Sequence, residues 1–265
     1  MKKYALISTF DKSNLKIICE FFSKENIGII STGTTSKFIK NLGYNASTIK
    51  EMTGFEEILD GRVKTLHPHI YASLLYDEEK LKHVKEFKGL KFPNIEYLIV
   101  NLYPFKKSVK KNLSYKKCIE MIDVGGPSLL RAASKNYQRI TAICDPLDYP
   151  KLISNFELNN NKTSLEFRKQ MSIKSFKTTC EFDREIFTWL EDKKINNDFT
   201  ILNHKKVKLK YGENAHQEAI FYNKNKKNFY NNQLHGKELG FNNLRDIDSA
   251  FNCISEFTDP TSIIV

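Results

Sequence analysis

Ile95-Glu96-Tyr97-Leu98-Ile99-Val100-Asn101-Leu102-Tyr103-Pro104-Phe105 is the stretch on which the fold turns. From Ile95 to Leu102 it is an almost continuous apolar run. A strand of this kind is buried on both faces, as in a parallel sheet covered by helices. The upstream segments fit such a sheet. Residues 4–9 are apolar and β-prone, and residues 12–25 place Leu15, Ile18 and Phe22 at helical spacing, stopping near Asn26. Gly28-Ile29-Ile30-Ser31 reads as a second strand. A helix from about Thr34 turns Phe38 and Leu42 inward and ends at Gly43, and Ala46 to Ile49 suits a third strand. Downstream, Pro127 marks the start of a helix carrying Leu129, Leu130, Ala132 and Ala133, and Ile140 to Cys144 is another buried strand. Strands separated by helices predict an α/β domain with a parallel sheet and right-handed crossovers.

From Pro146 to Leu190 the pattern turns helical. Thr163-Ser164-Leu165-Glu166 has the form of a capping box, and Phe176, Thr179, Phe182, Ile186 and Trp189 follow at helical spacing. Lys194 to Asp198 reads as a polar linker. The expected division is a domain over 1–195 and a further segment over 200–265, which at about 65 residues is marginal for a core of its own.

Composition narrows the function classes. No apolar run approaches the roughly 18 residues of a membrane span, and the apolar stretch after Lys3 is too short for a signal-peptide core. The five cysteines are scattered and form no CxxC pair, which argues against a disulfide framework or a zinc site and for a reducing cytoplasm. The net charge of +11 admits nucleic acid or an anionic small molecule as partner. It also fits compositional drift, because only six of the 42 basic residues are Arg. Lys205-Lys206 and Lys224 to Lys227 read as solvated loops.

Four segments carry chemistry. Ser31-Thr32-Gly33-Thr34-Thr35 lies between a strand and a helix, where hydroxyls and unpaired amides suit an anion, or simply cap a tight turn. Gly61-Arg62-Val63-Lys64-Thr65-Leu66-His67-Pro68 gathers cations and a hydroxyl in a loop of fixed shape, suited to phosphate or carboxamide. His67 alone reads as structural and His69 as a surface residue. Asn101-Leu102-Tyr103 ends the buried strand, where ligands of open α/β sheets bind. Asp123-Val124-Gly125-Gly126-Pro127 opens the helix that carries Arg131 and Lys135. A partly desolvated Lys135 could move a proton if the chain folds it toward the ligand; the alternative is a surface lysine.

In this order the motifs resemble the cyclohydrolase part of the bifunctional phosphoribosylaminoimidazolecarboxamide formyltransferase / IMP cyclohydrolase family. Tyr211 to Gln217, Gly236 to Leu239 and Asn242-Asn243 resemble the opening of its transformylase part. The resemblance covers nearly the whole chain. It implies a three-layer methylglyoxal-synthase-like sheet with helices on both faces, followed by the start of a second α/β domain. It implies closure of formylated aminoimidazole carboxamide ribonucleotide to IMP with no metal or organic cofactor, in a cytoplasmic homodimer that binds neither nucleic acid nor membrane. Matched by position, Lys135, Asp123, Tyr103 and Lys64 would be catalytic. Lys12, Ser31, Thr32, Gly33, Thr34, Arg62, Thr65, Asn101 and Val124 would bind the nucleotide. Lys210 and Tyr211 would belong to a transformylase site that uses 10-formyltetrahydrofolate.

This chain departs from the family pattern at several points. Gly33-Thr34 stands for two glycines, Phe10 for a serine, Tyr71-Ala72-Ser73 for His-Gly-Gly and Lys210 for an arginine. The family's Lys-His formyl-transfer motif is not among these residues, so formyl transfer is not expected of them. A phosphate-sensing regulatory domain of the same superfamily is the competing expectation: ligand binding without chemistry.

Overall fold

The computed structural model describes residues 2–111, 113–191, 205–223 and 235–265. The chain divides into two compact units, Met1–Lys193 and Lys194–Val265. In chain order the first contains β1 (Lys3–Thr9), α1 (Leu15–Lys24), β2 (Gly28–Ser31), α2 (Gly33–Asn41), β3 (Ser47–Thr48), α3 (Ile49–Thr53), α4 (Pro68–Leu75), α5 (Leu81–Gly89) and β4 (Asn94–Asn101). It continues through α6 (Phe105–Lys110), α7 (Tyr115–Ile119), α8 (Gly125–Lys135), β5 (Thr141–Ile143), α9 (Tyr149–Leu158) and α10 (Leu165–Leu190).

The five strands form one sheet in the order β3-β2-β1-β4-β5, all parallel. Ile7 of β1 is in register with Ser31 of β2 on one side and Ile99 of β4 on the other. The chain steps outward from β1 to β2 and β3, then crosses to build β4 and β5. The order therefore reverses between β1 and β4, and a ligand crevice forms beyond the carboxyl ends of such strands.

Both faces of the sheet are buried, as the run at 95–102 predicts. Ala5, Ile7, Tyr97 and Ile99 pack with Ile18 and Phe22 of α1, Leu152 and Phe156 of α9, and Met171 of α10. The alternate residues Leu6, Leu98 and Val100 pack on the other face with Ile70 and Leu74 of α4 and with Leu129, Leu130 and Ala133 of α8. Each such fully buried aliphatic or aromatic side chain contributes about 1.5–3 kcal/mol. The unit is a three-layer α/β domain.

Local signals were displaced at three places. The third strand is only Ser47–Thr48, because Thr48 caps α3 in a box with Glu51 (Glu51 N to Thr48 Oγ1 3.2 Å, Thr48 N to Glu51 Oε2 2.8 Å). The box expected at Thr163–Glu166 does not form. Ser164 is the N-cap instead and accepts from Phe167 N at 3.2 Å, while Thr163 bonds the buried Thr141 hydroxyl at 2.8 Å. A buried hydroxyl needs a partner, and Thr141 takes the one the cap would have used.

The third correction is in the second unit. Lys205-Lys206, read as solvated loop, open β6 (Lys205–Lys208), which pairs antiparallel with β7 (Ile220–Asn223) ahead of α11 (Phe241–Ile254). Among the described residues of this unit Leu209 is the one buried hydrophobic side chain, and α11 buries none. The stretches 194–198 and 224–227 lie outside the described residues.

Candidate active site

The crevice between β1 and β4 is built around Asn101. Its Oδ1 accepts from Phe10 N (2.7 Å) and Asp11 N (2.9 Å), and its Nδ2 donates to Asp11 O (2.8 Å). The carboxamide expected to meet a ligand instead clamps the loop leaving β1 to the end of β4. Asp11 in turn accepts from Ser13 N, and hydrogen bonding by the Ser13 side chain and then its backbone holds the carboxyl below the usual range. Lys12 folds back so that Nζ lies 3.3 Å from Phe10 O and 6.0 Å from the centre of the Phe38 ring.

The hydroxyls at the end of β2 are also used inside the fold. Ser31 donates to Ile7 O (2.8 Å), Thr32 to Ser8 Oγ (3.1 Å) and Thr35 to Thr9 O (3.0 Å). They fasten the end of β2 and the first turn of α2 to the end of β1. Gly33 and Thr34 face outward, and the Thr32 side chain makes no cap bond to α2. The first-turn amides of α2 have no intrahelical partner and favour an anion there. Glu57 stands beside them: a Cβ on Gly33 would meet its Oε2 at 3.5 Å.

The Arg62–Thr65 loop meets the start of α8. Thr65 is buried, and a Cβ on Gly125 would come within 2.8 Å of its hydroxyl, so the glycine allows the close approach. Asp123 accepts from Gly126 N at 2.8 Å. Burial pushes the Asp123 carboxyl above its ordinary value, opposed by the amides of Gly126 and Gly125 and by the charge of Lys64. Lys64 and Asp123 thus come from separate loops, close enough for the ammonium charge to act on the carboxyl. Arg62 is instead paired with Glu120, with both side chains more than half exposed. An exposed pair of this kind is worth about 0–1 kcal/mol. The loop enters through three successive left-handed residues, Leu59, Asp60 and Gly61.

Tyr103 leans on Phe10, ring centroids 5.3 Å apart and planes at 69°. Val124 is exposed and Phe105 is buried against Trp189. His67 is structural: it caps α4, its Nδ1 accepts from His69 N at 3.3 Å, and burial followed by the charge of His69 lowers its pKa. His69, read as a surface residue, is half-buried against Phe92 at 5.6 Å.

Lys135 is not brought to this cluster. It is the exposed last residue of α8, and the helical rise puts it about 15 Å along the axis from Gly125. Its neighbour Asn136 donates to Leu74 O and Tyr76 O at the far end of α4. The desolvation expected for Lys135 is absent. Within the second unit, Lys210 Nζ lies 5.3 Å from the centre of the Tyr211 ring, and a Cβ on Gly240 would meet that ring at 3.0 Å. Sequence reasoning missed Ser8, Thr9, Glu57 and Glu120. The signal for the first two was a pair of hydroxyls ending a strand. Among the described residues no group of three or more His, Cys, Asp or Glu could hold a metal ion, and no helix is long and apolar enough to cross a membrane.

A parallel sheet in this order, with a crevice at its reversal, is a doubly wound α/β domain, and the family model of the MGS-like domain matches residues 15–128. Residues 133–265 match the model of the AICARFT/IMPCHase bienzyme, and the chain belongs to that family. It is similar to the bifunctional purine biosynthesis protein PurH of Bacillus subtilis (strain 168), 40% identical over 271 residues, covering 99% of this chain and 53% of that protein. The PurH proteins of Clostridium beijerinckii (39% over 266 residues; 98% and 53%) and Fusobacterium nucleatum (40% over 265 residues; 98% and 52%) are comparable. The chain spans about half the length of these curated relatives. The crystal structure of ForH superposes with a TM-score of 0.63 at 23% identity, over 72% of this chain and 100% of that one, a likeness of fold.

Proposed function

We propose that the first unit is an IMP cyclohydrolase of purine biosynthesis, closing formylated aminoimidazole carboxamide ribonucleotide to IMP with loss of water. The observation that carries this reading is the junction of the Arg62–Thr65 loop with the start of α8, where the Thr65 hydroxyl closes on Gly125 and the half-buried Asp123, within reach of the Lys64 charge, accepts from Gly126 N. Membership of the bienzyme family and the likeness to proteins named for purine biosynthesis support it.

The reaction joins two arms of one molecule. The carboxamide nitrogen attacks the formyl carbon, a C–N bond forms and the nitrogen loses a proton. Negative charge develops on the old formyl oxygen, which takes a proton. That oxygen then leaves as water, and the former formamide nitrogen gives up its hydrogen as the ring C=N bond forms. Every step is a proton transfer or an addition and elimination without redox change, so the proposal calls for no metal or organic cofactor. The α2 amides and Thr34 would hold the phosphate. Holding nitrogen and carbon at contact distance is a large part of the task. Lys64 stabilises the oxyanion with Tyr103 as second donor, and Asp123, protonated more readily than an ordinary carboxyl, supplies the proton for departure. Asp123 takes this role in place of Lys135 because it lies at the start of α8, where the Arg62–Thr65 loop arrives, while Lys135 is exposed at the far end of that helix.

The remoteness of Lys135 favours a second reading, a phosphate-binding regulatory module. One experiment separates the two: the chain is mixed with the formylated ribonucleotide and IMP formation is followed. Turnover supports the enzyme. A folded sample that binds IMP without forming it supports the module.

A further inference from the structure

We propose that Phe10 and Tyr103 form an aromatic corner that receives the flat heterocycle of the nucleotide, and that Phe10 is a specificity-determining residue of the site; this deepens the ring-closing reading and rests on it. Phe10 is 48% exposed although it sits at the exit of the central strand, where buried neighbours are at hand. Its ring is 5.3 Å from that of Tyr103 with the planes at 69°. Two rings at such an angle leave a corner. A planar ring laid on one face meets the other edge-on, and both arrangements are favourable for aromatic pairs.

The corner is rigid. Phe10 N and Asp11 N are held by Asn101 Oδ1, and Asp11 O by Asn101 Nδ2, so the residue under Phe10 cannot drift from the end of β4. Tyr103 follows two residues later on the same exit, and its carbonyl accepts from Phe105 N at 2.8 Å. The rings therefore span the reversal between β1 and β4. Polarity is divided across the crevice. The first-turn amides of α2 and the outward Thr34 lie on the β2 side, Lys64 and Asp123 lie toward the start of α8, and the two rings stand at the exits of β1 and β4. A ribotide has the same division, with an anion at one end and a flat heterocycle at the other. Phe10 offers that heterocycle no hydrogen bond, so it selects for flatness rather than for particular ring substituents.

The test titrates the full chain with IMP and, separately, with ribose 5-phosphate, which keeps the anion and lacks the heterocycle. Phe10→Ser should weaken IMP binding about tenfold, ~1.4 kcal/mol, and change ribose 5-phosphate binding by less than about twofold. Phe10→Tyr should keep IMP affinity within about threefold of wild type. Far-UV circular dichroism confirms that the variants fold. Unchanged IMP binding by Phe10→Ser overturns the proposal. So does an equal loss for both ligands, which would make Phe10 a prop for the loop. Failure of the underlying reading looks different. Wild-type protein that binds IMP without turnover removes the ring-closing activity and leaves the corner supported, whereas wild-type protein that binds neither ligand overturns both.

Discussion

The two edges of the first unit's sheet are both polar, yet they are organised in opposite ways. At the amino edge Arg139 is buried. It donates to Asn94 Oδ1 and Ile95 O at 2.9 Å each and to Ser73 O, lies 4.0 Å from the Glu78 carboxylate, and stacks over Tyr76 at 4.1 Å. Tyr76 stacks in turn on Phe87 at 4.3 Å, and burial pushes its hydroxyl up to about 12. A cleft of about 440 Å³ opens here, but its polar walls are paired with one another, Lys3 with Glu96 and Tyr76 with Asn94. At the carboxyl edge the self-pairing lies one layer down, in Ser31, Thr35 and Asn101, and the groups above it face outward. Polar density and cavity size do not mark a site; the direction in which donors are left pointing does.

The comparison is broken or sharpened first by activity. Lys64→Ala and Asp123→Asn at the carboxyl edge should each lower the rate of IMP formation about 10²–10⁴-fold if they stabilise charge and transfer protons. Lys135→Ala, at the other end of α8, should change it by less than about threefold. A loss of tenfold or more at Lys135 would show that the amino edge takes part in the chemistry. Next comes stability. Arg139→Ala strands several buried acceptors and should cost about 3 kcal/mol in urea unfolding, while IMP affinity of the folded protein is kept. A stable variant would remove the structural role given to that edge.

A smaller effect is expected at the clamp. Asn101→Ala frees the loop after β1 and should cost about 1–2 kcal/mol and raise KM more than it lowers kcat. The pH dependence is smaller again. Asp123 has a raised folded pKa, so between its unfolded value of 3.8 and the folded one the native state binds more protons. Stability from this group is therefore full at acid pH and falls as pH rises through that window. Asp123→Asn should flatten that slope and leave the protein slightly more stable at neutral pH, read by urea midpoints across the range. An unchanged slope would mean that Asp123 is not the buried group described here.

Much of the first unit was legible. The runs at 4–9, 28–31, 95–102 and 140–144 all became strands within about two residues, because burial on both sheet faces demands apolar side chains at every position. The site segments were legible as segments: two lie where a strand ends, and the other two lie in the loops that lead into α4 and α8. Less legible was what each side chain does. Asn101 bonds residues some 90 positions away, and Thr163 leaves its expected cap for Thr141 22 positions upstream. His69 was read as exposed because nothing local reveals Phe92 beside it.

From its amino acids alone this chain determines that it builds a parallel α/β sheet, with hydroxyls and amides at strand ends and cations in the loop ahead of α4. Periodicity and burial are local properties that a linear pattern can hold. Only the tertiary structure decided which of those groups share one crevice. Lys135 reads in sequence as twelve residues from Asp123 and a plausible partner. The rise of α8 carries it toward the other edge of the sheet, whereas Lys64, far more distant in the chain, comes within electrostatic reach of Asp123 because its loop closes on the start of α8 at Thr65 and Gly125.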